Sequence, residues 1–531
     1  MKKEDFPIDE AALNGFIGVN KKIWDKEYNG DKYIYINLSM VRMQLGWITS
    51  KLLFAKGIQE KTGCRIAAIT WRENEKLTEL LDSYGIEHYC IEKENRKHPF
   101  LLIKSLLKTA YVALFNGEDL KKMKCLGLPA GMAIYEDILR TSDMSTIRSI
   151  RNKTCIKKIA HLLWMTYSLD KCLKKNKPIV DICDDYAYHE GLQSAVFKKN
   201  GAAVINCNTI GEGKVNITSD GYVIRAKQEM QKILAAKLPE LGTDMESRAD
   251  GILNKRFAGL NGRSIDRGAF KDKKVYERDE AMKLLKLDPS KKTVVIMAHT
   301  FTDAVFNYGY DYYFRDYYDW TEQTLKIAHD NKNVNWILKP HPTRKAYHED
   351  KDSIEKMFEK YRREGLAISD NDMSAESIKN IADVLVTIGG NAGAEFSCFG
   401  IPAVLVGKPY YSGLGYTIEP ESFEEYKKLL MNADKIERLS EEQVSKAKKV
   451  FAWRSMPGRK VLEHLFEDEF SNEVAGRYDE MCNKMSTGYF ESNKGTKGYN
   501  TDMALFMTEY FSTHDMKKCD FYETGRNISG I

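Results

Sequence analysis

The sequence predicts an α/β protein built from two doubly wound parallel-sheet domains. Short apolar segments rich in β-branched residues alternate with longer amphipathic ones in both halves of the chain, the pattern of strands and crossover helices in a parallel sheet. The 531 residues exceed what one hydrophobic core spans, since single cores stop growing at roughly 250 to 300 residues. Polar chemistry gathers wherever a strand ends, and the crevice beyond the carboxyl ends of such strands is where ligands bind.

In chain order, residues 1–30 read as a polar, extended leader, and 31–275 as the first domain with its linker. Strands are expected at Tyr33 to Leu38, Arg65 to Thr70 and Ile86 to Ile91, with helices at Ile48 to Lys61 and Asn74 to Tyr84 closed by Gly63 and Gly85. A loop leads into a helix carrying Glu136, Asp137 and Arg140. The strand Pro178 to Cys183 is followed by Asp184, Asp185, His189 and Glu190, titratable groups from which a general base could come. Two other readings of this cluster stand beside that one: oxygen ligands for a divalent metal, and N-caps for the helix running through Phe197.

The second domain is expected over 276–440, opening with a helix at Tyr276 to Leu287 and a strand at Thr293 to Met297 that ends in His299 and Asp303. Tyr313, Tyr317 and Trp320 follow at helical spacing and read as packing rather than as a sugar platform. Strands at Val334 to Leu338 and Asp383 to Ile388 lead into Lys339-Pro340-His341-Pro342 and Thr387-Ile388-Gly389-Gly390-Asn391. The glycines let backbone approach a ligand, and the helix starting near Asn391 offers N–H groups to a phosphate. Glu395, one turn on, is placed to accept hydrogen bonds from ribose hydroxyls. The competing reading is a tight turn beside a surface acid. Helices in 441–531 are expected to cross back to the first domain.

The order KPHP, DVLVTIGGNAGAEFSCFGIPAVLVG and YYSGLGYT resembles the bacterial capsule polysaccharide biosynthesis proteins, which include Kdo-transferase-like glycosyltransferases. That resemblance implies a GT-B-like fold, with two Rossmann-like domains facing a central cleft and a nucleotide-sugar held mainly by the second. It implies that His341 and Pro342 match the HP motif at the donor, and that Thr387 to Asn391 and Glu395 match the phosphate and ribose end of the site. Gly390-Asn391 stands where the family often carries a Ser-Thr pair.

The expected reaction is glycosyl transfer from a nucleotide-activated donor, CMP-linked and Kdo-like, to a surface polysaccharide or glycolipid acceptor. Charge developing on the leaving phosphate would meet the Gly389, Gly390 and Asn391 N–H groups, with Lys339, His341 and Lys408 nearby. Asp184, Asp185 or Asp303 would serve as base, and His299 faces the same cleft. No metal or cofactor is expected. A CDP-glycerol-type glycerophosphotransferase and an inactive scaffold of the polysaccharide machinery are the alternatives.

Composition narrows the setting. A net charge of +5 over this length does not imply nucleic acid, and the ten dispersed cysteines point to a reducing cytoplasm. The start lacks the apolar stretch of a signal peptide, and no apolar run is long enough to span a bilayer. Between Arg148 and Lys177, nine Lys/Arg residues face the single acid Asp170. This basic amphipathic helix is read as a solvated face packed on the sheet, with peripheral contact to the inner membrane through 148–177 as the other reading.

Overall fold

The structure is a computed structural model that describes residues 6–39, 44–115, 120–142, 144–184, 187–208, 214–218, 231–258, 273–306, 312–342, 344, 353–369, 373–455 and 493–513. It forms two compact units. The first comprises Met1–Tyr135, Ser149–Val223 and Pro457–Ile531, and the second Glu136–Arg148 and Ile224–Met456.

The strands of the first unit are β1 (Lys32–Asn37), β2 (Arg65–Thr70), β3 (Glu87–Cys90), a small antiparallel pair β4 (Lys124–Cys125) and β5 (Leu128–Pro129), then β6 (Lys177–Cys183), β7 (Ala203–Asn208) and β8 (Lys214–Thr218). The main sheet runs β3-β2-β1-β6-β7-β8, parallel except for the last pair. The second unit repeats this plan with β9 (Thr293–Met297), β10 (Asn335–Lys339), β11 (Leu366–Ile368), β12 (Val384–Thr387), β13 (Ala403–Leu405) and β14 (Thr417–Ile418), ordered β11-β10-β9-β12-β13-β14 and all parallel. Both are the Rossmann order, in which the chain reverses direction across the sheet once. The reversal lies between β1 and β6 in one unit and between β9 and β12 in the other, and such a switch point opens a crevice at the strand ends.

Burial explains why these segments are strands. Every residue of β12 is buried, and so are the first four of β9 and of β10, because helices cover both faces. Gly400 ends the helix Asn391–Ser397 region with φ +78, a left-handed value that L side chains rarely adopt, and lets the chain turn into β13.

Several boundaries move. Within the stretch expected as a polar leader, Asp9 instead caps a helix at Glu10–Ile23 by accepting from the N–H groups of Ala11 and Ala12, and Leu13, Phe16 and Ile17 are buried. These apolar positions recur at the helical period and pack on the helix Asn493–Thr513, where Phe16 meets Phe511 at 5.5 Å between ring centroids. The second unit begins before 276, because Leu234, Leu253 and Phe257 pack into its core. It also extends past 440: Ala447, Val450 and Phe451 join the same core, and Lys448 pairs with Asp250 at 2.8 Å. Glu136 belongs with it as well, its Oε1 accepting from the Phe306 N–H at 2.6 Å. Of the helices expected in 441–531, the part over 456–492 lies outside the described residues.

The helix Lys153–Lys175 holds most of the basic run, and its apolar side, including Ile159, Leu162, Leu163 and Met165, is buried in the first unit. A membrane contact through 148–177 therefore cannot use that apolar face, which the fold already occupies.

Candidate functional site

In the second unit, register brings three loops to one level. Met297 pairs with Lys339 across β9 and β10, and Ile296 pairs with Val386 across β9 and β12. The segments starting at Ala298, Pro340 and Ile388 therefore leave the sheet side by side, at the switch point. His299 Nε2 lies 3.1 Å from Thr387 Oγ1, which also accepts from the Gly390 N–H at 3.4 Å. A Cβ on Gly390 would stand 3.3 Å from His299 Cε1, closer than a side chain comfortably sits. His299, Thr387 and Gly390 thus form one cluster. The aromatic stripe fixes the imidazole: His299 is 4.6 Å from the Tyr317 ring and 6.1 Å from Trp320, both buried. The stripe packs and positions, as its spacing suggests.

His341 and Pro342 follow β10 and remain partly exposed or exposed, while Lys339 Nζ donates to the Met373 carbonyl at 2.9 Å. Asp303 follows His299 in the same loop, its N–H donating to the Thr300 carbonyl at 3.2 Å. The next residue, Ala304, has φ +45, an uncommon value for a non-glycine and costly by about 1–3 kcal/mol. Lys408 is exposed and pairs with Glu419 at 3.4 Å. The N-cap of the helix Asn391–Ser397 is Gly390, which has no side chain to offer to the first-turn N–H groups.

Glu395 is buried rather than a surface acid, and Arg256 Nε lies 2.9 Å from its Oε1. A ligand hydroxyl would have to share that carboxylate with the guanidinium. One further group was not anticipated from the sequence. Tyr411 donates to the Gly390 carbonyl at 2.5 Å, and a Cβ on Gly393 would collide with the same hydroxyl. A third glycine in GGNAG is therefore required by a tyrosine packed against it; the spacing of the glycines was the available signal.

The first unit has a polar cluster at its own switch point. Lys51, fully buried in the helix Leu45–Thr62, donates to the Asn37 carbonyl at 2.8 Å and pairs with Asp184 Oδ2 at 2.5 Å. The ammonium thus ties the end of β1 to the end of β6. Burial pushes the Asp184 carboxyl up, and Lys51 opposes that shift. Asp184 does not cap the following helix, whose N-cap is Ala187 without a side-chain bond; instead its own N–H donates to Glu190 Oε1 at 2.8 Å. Asn37 Nδ2 donates to Gln193 Oε1 at 2.6 Å, and Ser39 joins both residues. Tyr188, at φ +59, is a bulky residue in the left-handed region beside this cluster. Asp185 lies outside the described residues.

Asp181, in the middle of β6, is fully buried, accepts from Ser194 Oγ at 2.7 Å, and has an Oδ1 without a hydrogen-bond partner among the described residues. Burial pushes its pKa up to about 7. A raised carboxyl means the folded state binds the extra proton, so stability falls as pH rises from about 4, the unfolded value, through about 7. Asp181→Asn keeps an acceptor for Ser194 and removes the buried charge, although its amide brings donors of its own. A gain on the order of 2 kcal/mol is expected near pH 8, vanishing near pH 4. Thermal melts at the two pH values check this, and an equal effect at both would refute it.

Residues 255–446 match the family described as capsule polysaccharide biosynthesis protein. No curated protein matches the sequence. Similar solved structures include two KpsC enzymes of Thermosulfurimonas dismutans. The β-Kdo 2,4-transferase shares 13% identity over 52% of this chain and 80% of that one, with a TM-score of 0.33. The β-Kdo 2,7-transferase shares 16% over 53% and 80%, with a TM-score of 0.30. Anabaena Alr3699/HepE in complex with UDP shares 10% over 85% and 100%, with a TM-score of 0.27. Likeness at this level assigns no activity. The matched segment contains β9 to β14 and, with them, the whole His299, Thr387 and Gly390 cluster. It is residues 255–446 of this chain that are similar to the capsule polysaccharide biosynthesis protein family.

Proposed function

We propose that the chain is a glycosyltransferase of capsule synthesis. It moves a sugar from a nucleotide-activated donor, CMP-linked and Kdo-like, to a polysaccharide or glycolipid acceptor on the cytoplasmic side. The observation that carries this reading is the grouping of His299, Thr387 and Gly390 at the switch point of the second sheet, with Lys339 and His341 leaving the neighbouring strand at the same level.

In this reading the bond between the anomeric carbon and the phosphate oxygen breaks while the acceptor oxygen bonds to that carbon. The leaving nucleotide gains negative charge. Donors fixed before the reaction stabilise such charge without reorganising, and His299, His341 and the N–H groups of Gly389 to Asn391 fill that role. Glu395 holds the ribose, sharing its carboxylate with Arg256. Asp303 takes the acceptor proton, since Asp184 is tied to Lys51.

Titration calorimetry of the full chain with CMP, CDP and UDP tests the reading. CMP is expected to bind. Incubation with CMP-Kdo and with CDP-glycerol then separates glycosyl transfer from glycerophosphotransfer by which nucleotide is released. Binding of none of the three nucleotides would leave the inactive scaffold as the better account.

A further inference from the structure

The helix Pro99–Phe115 is built inside out. Its buried positions are small or polar, Ser105, Thr109, Val112 and Ala113, while Phe100, Ile103, Leu107, Tyr111, Leu114 and Phe115 face solvent. Phe100 is 81% exposed, Leu107 68% and Phe115 72%, values that a folded soluble surface does not ordinarily give to a row of large side chains. At 100° per residue, Phe100, Ile103, Leu107, Tyr111 and Leu114 fall on one continuous stripe.

The fold holds the stripe outward. Ser105 and Thr109 turn their hydroxyls to carbonyls of their own helix, at 2.7 and 2.8 Å, and their small size suits them to the buried side. The neighbouring helix Lys153–Lys175 and the residues just before it pin both ends. Trp164 Nε1 donates to the His98 carbonyl at 3.0 Å, and Arg151 Nε donates to the Ala113 carbonyl at 3.0 Å. Rolling the apolar side inward would break both bonds.

Charge says what covers the stripe. From Arg96 to Phe115 there is no Asp or Glu, and Lys104 and Lys108 stand on the flank next to the stripe. Lys104 Nζ sits 4.2 Å over the Tyr167 ring, Lys171 Nζ lies 3.4 Å from His98 Nδ1 at one end, and Arg151 stands at the other. In the neighbouring helix the one acid, Asp170, is buried and held by Lys174 and Lys199. A second copy of this chain would bring the same cations against these, so a symmetric pairing is opposed by charge. An anionic lipid surface supplies both what the stripe and what its borders lack.

We propose that the helix Pro99–Phe115 is a membrane-docking element. It lies in the plane of an anionic bilayer surface, with Phe100, Ile103, Leu107, Tyr111 and Leu114 among the acyl chains and the lysines and arginine at the headgroups. Among the described residues no helix is long and apolar enough to cross a membrane, so the contact is interfacial. The proposal does not depend on the transferase reading, and nucleotide calorimetry and vesicle binding fail separately.

Flotation of the full chain with vesicles of about two parts phosphatidylcholine to one part phosphatidylglycerol, and with phosphatidylcholine alone, is the test. Binding is expected to the anionic vesicles, weaker at high salt, and reduced at least about tenfold in Ile103→Glu/Leu107→Glu. The substituted positions are exposed, so the melting temperature should hold, which separates lost docking from lost folding. In Phe100→Trp, the added emission should shift to the blue when anionic vesicles are present. The proposal is overturned if the parent floats with neither vesicle, floats equally with both, or binds unchanged after the glutamate substitutions. It is also overturned if sedimentation shows a dimer that those substitutions dissolve while vesicles are ignored.

Discussion

Replacing Lys51 by methionine is expected to destabilise the first unit by about 3–5 kcal/mol, because it removes the counter-charge that the fully buried ammonium gives to the largely buried Asp184 carboxylate. The ammonium also satisfies the Asn37 carbonyl, so β1 loses a partner at the same stroke. Methionine keeps much of the volume, so a cavity contributes little. The urea midpoint of the first unit's transition measures the loss. Adding Asp184→Asn should restore most of it, since removing both charges removes the imbalance that either change alone creates. A double variant as weak as the sum of the two singles would show that the ion pair is not what Lys51 contributes.

His299→Ala is expected to lower transfer by about 10²–10³-fold, the range seen when one fixed donor to a developing negative charge is removed. Release of nucleotide from the donor measures it. The fold should tolerate the change, because Tyr317 and Trp320 are anchored independently: Trp320 Nε1 donates to the Tyr426 hydroxyl at 3.1 Å. Gly390→Val should mimic part of the defect without touching the imidazole, by placing bulk against His299 Cε1 and Thr387 Oγ1. An unchanged rate in both variants would remove the switch-point cluster from the mechanism.

Much of the fold was legible from the chain. β2 and β9 coincide residue for residue with the expected strands Arg65 to Thr70 and Thr293 to Met297, because a short β-branched run between turn signals has few other ways to fold. The N-terminal helix was written in the sequence too, in the spacing of Leu13, Phe16 and Ile17, but the polar composition around it masked the period. The helix Pro99–Phe115 runs against the usual rule, burying Ser105 and exposing Phe100. No periodicity argument returns that answer, since it would put the larger residues inside.

The site divides in the same way. That His299, His341 and Thr387 stand at strand ends follows from short-range steric and hydrophobic preferences, which operate within a few residues, and so the sequence alone determined the two α/β sheets and the level at which polar groups emerge. Which of those groups meet was decided only in three dimensions. Lys51 lies within an expected helix, and only the crossover from β1 carries it to Asp184; Arg256 could meet an anionic group or solvent, and only the packing of its helix puts it beside Glu395. Charge pairing acts over ångströms of space rather than positions of sequence, so its partners exist only once the sheets have been wound.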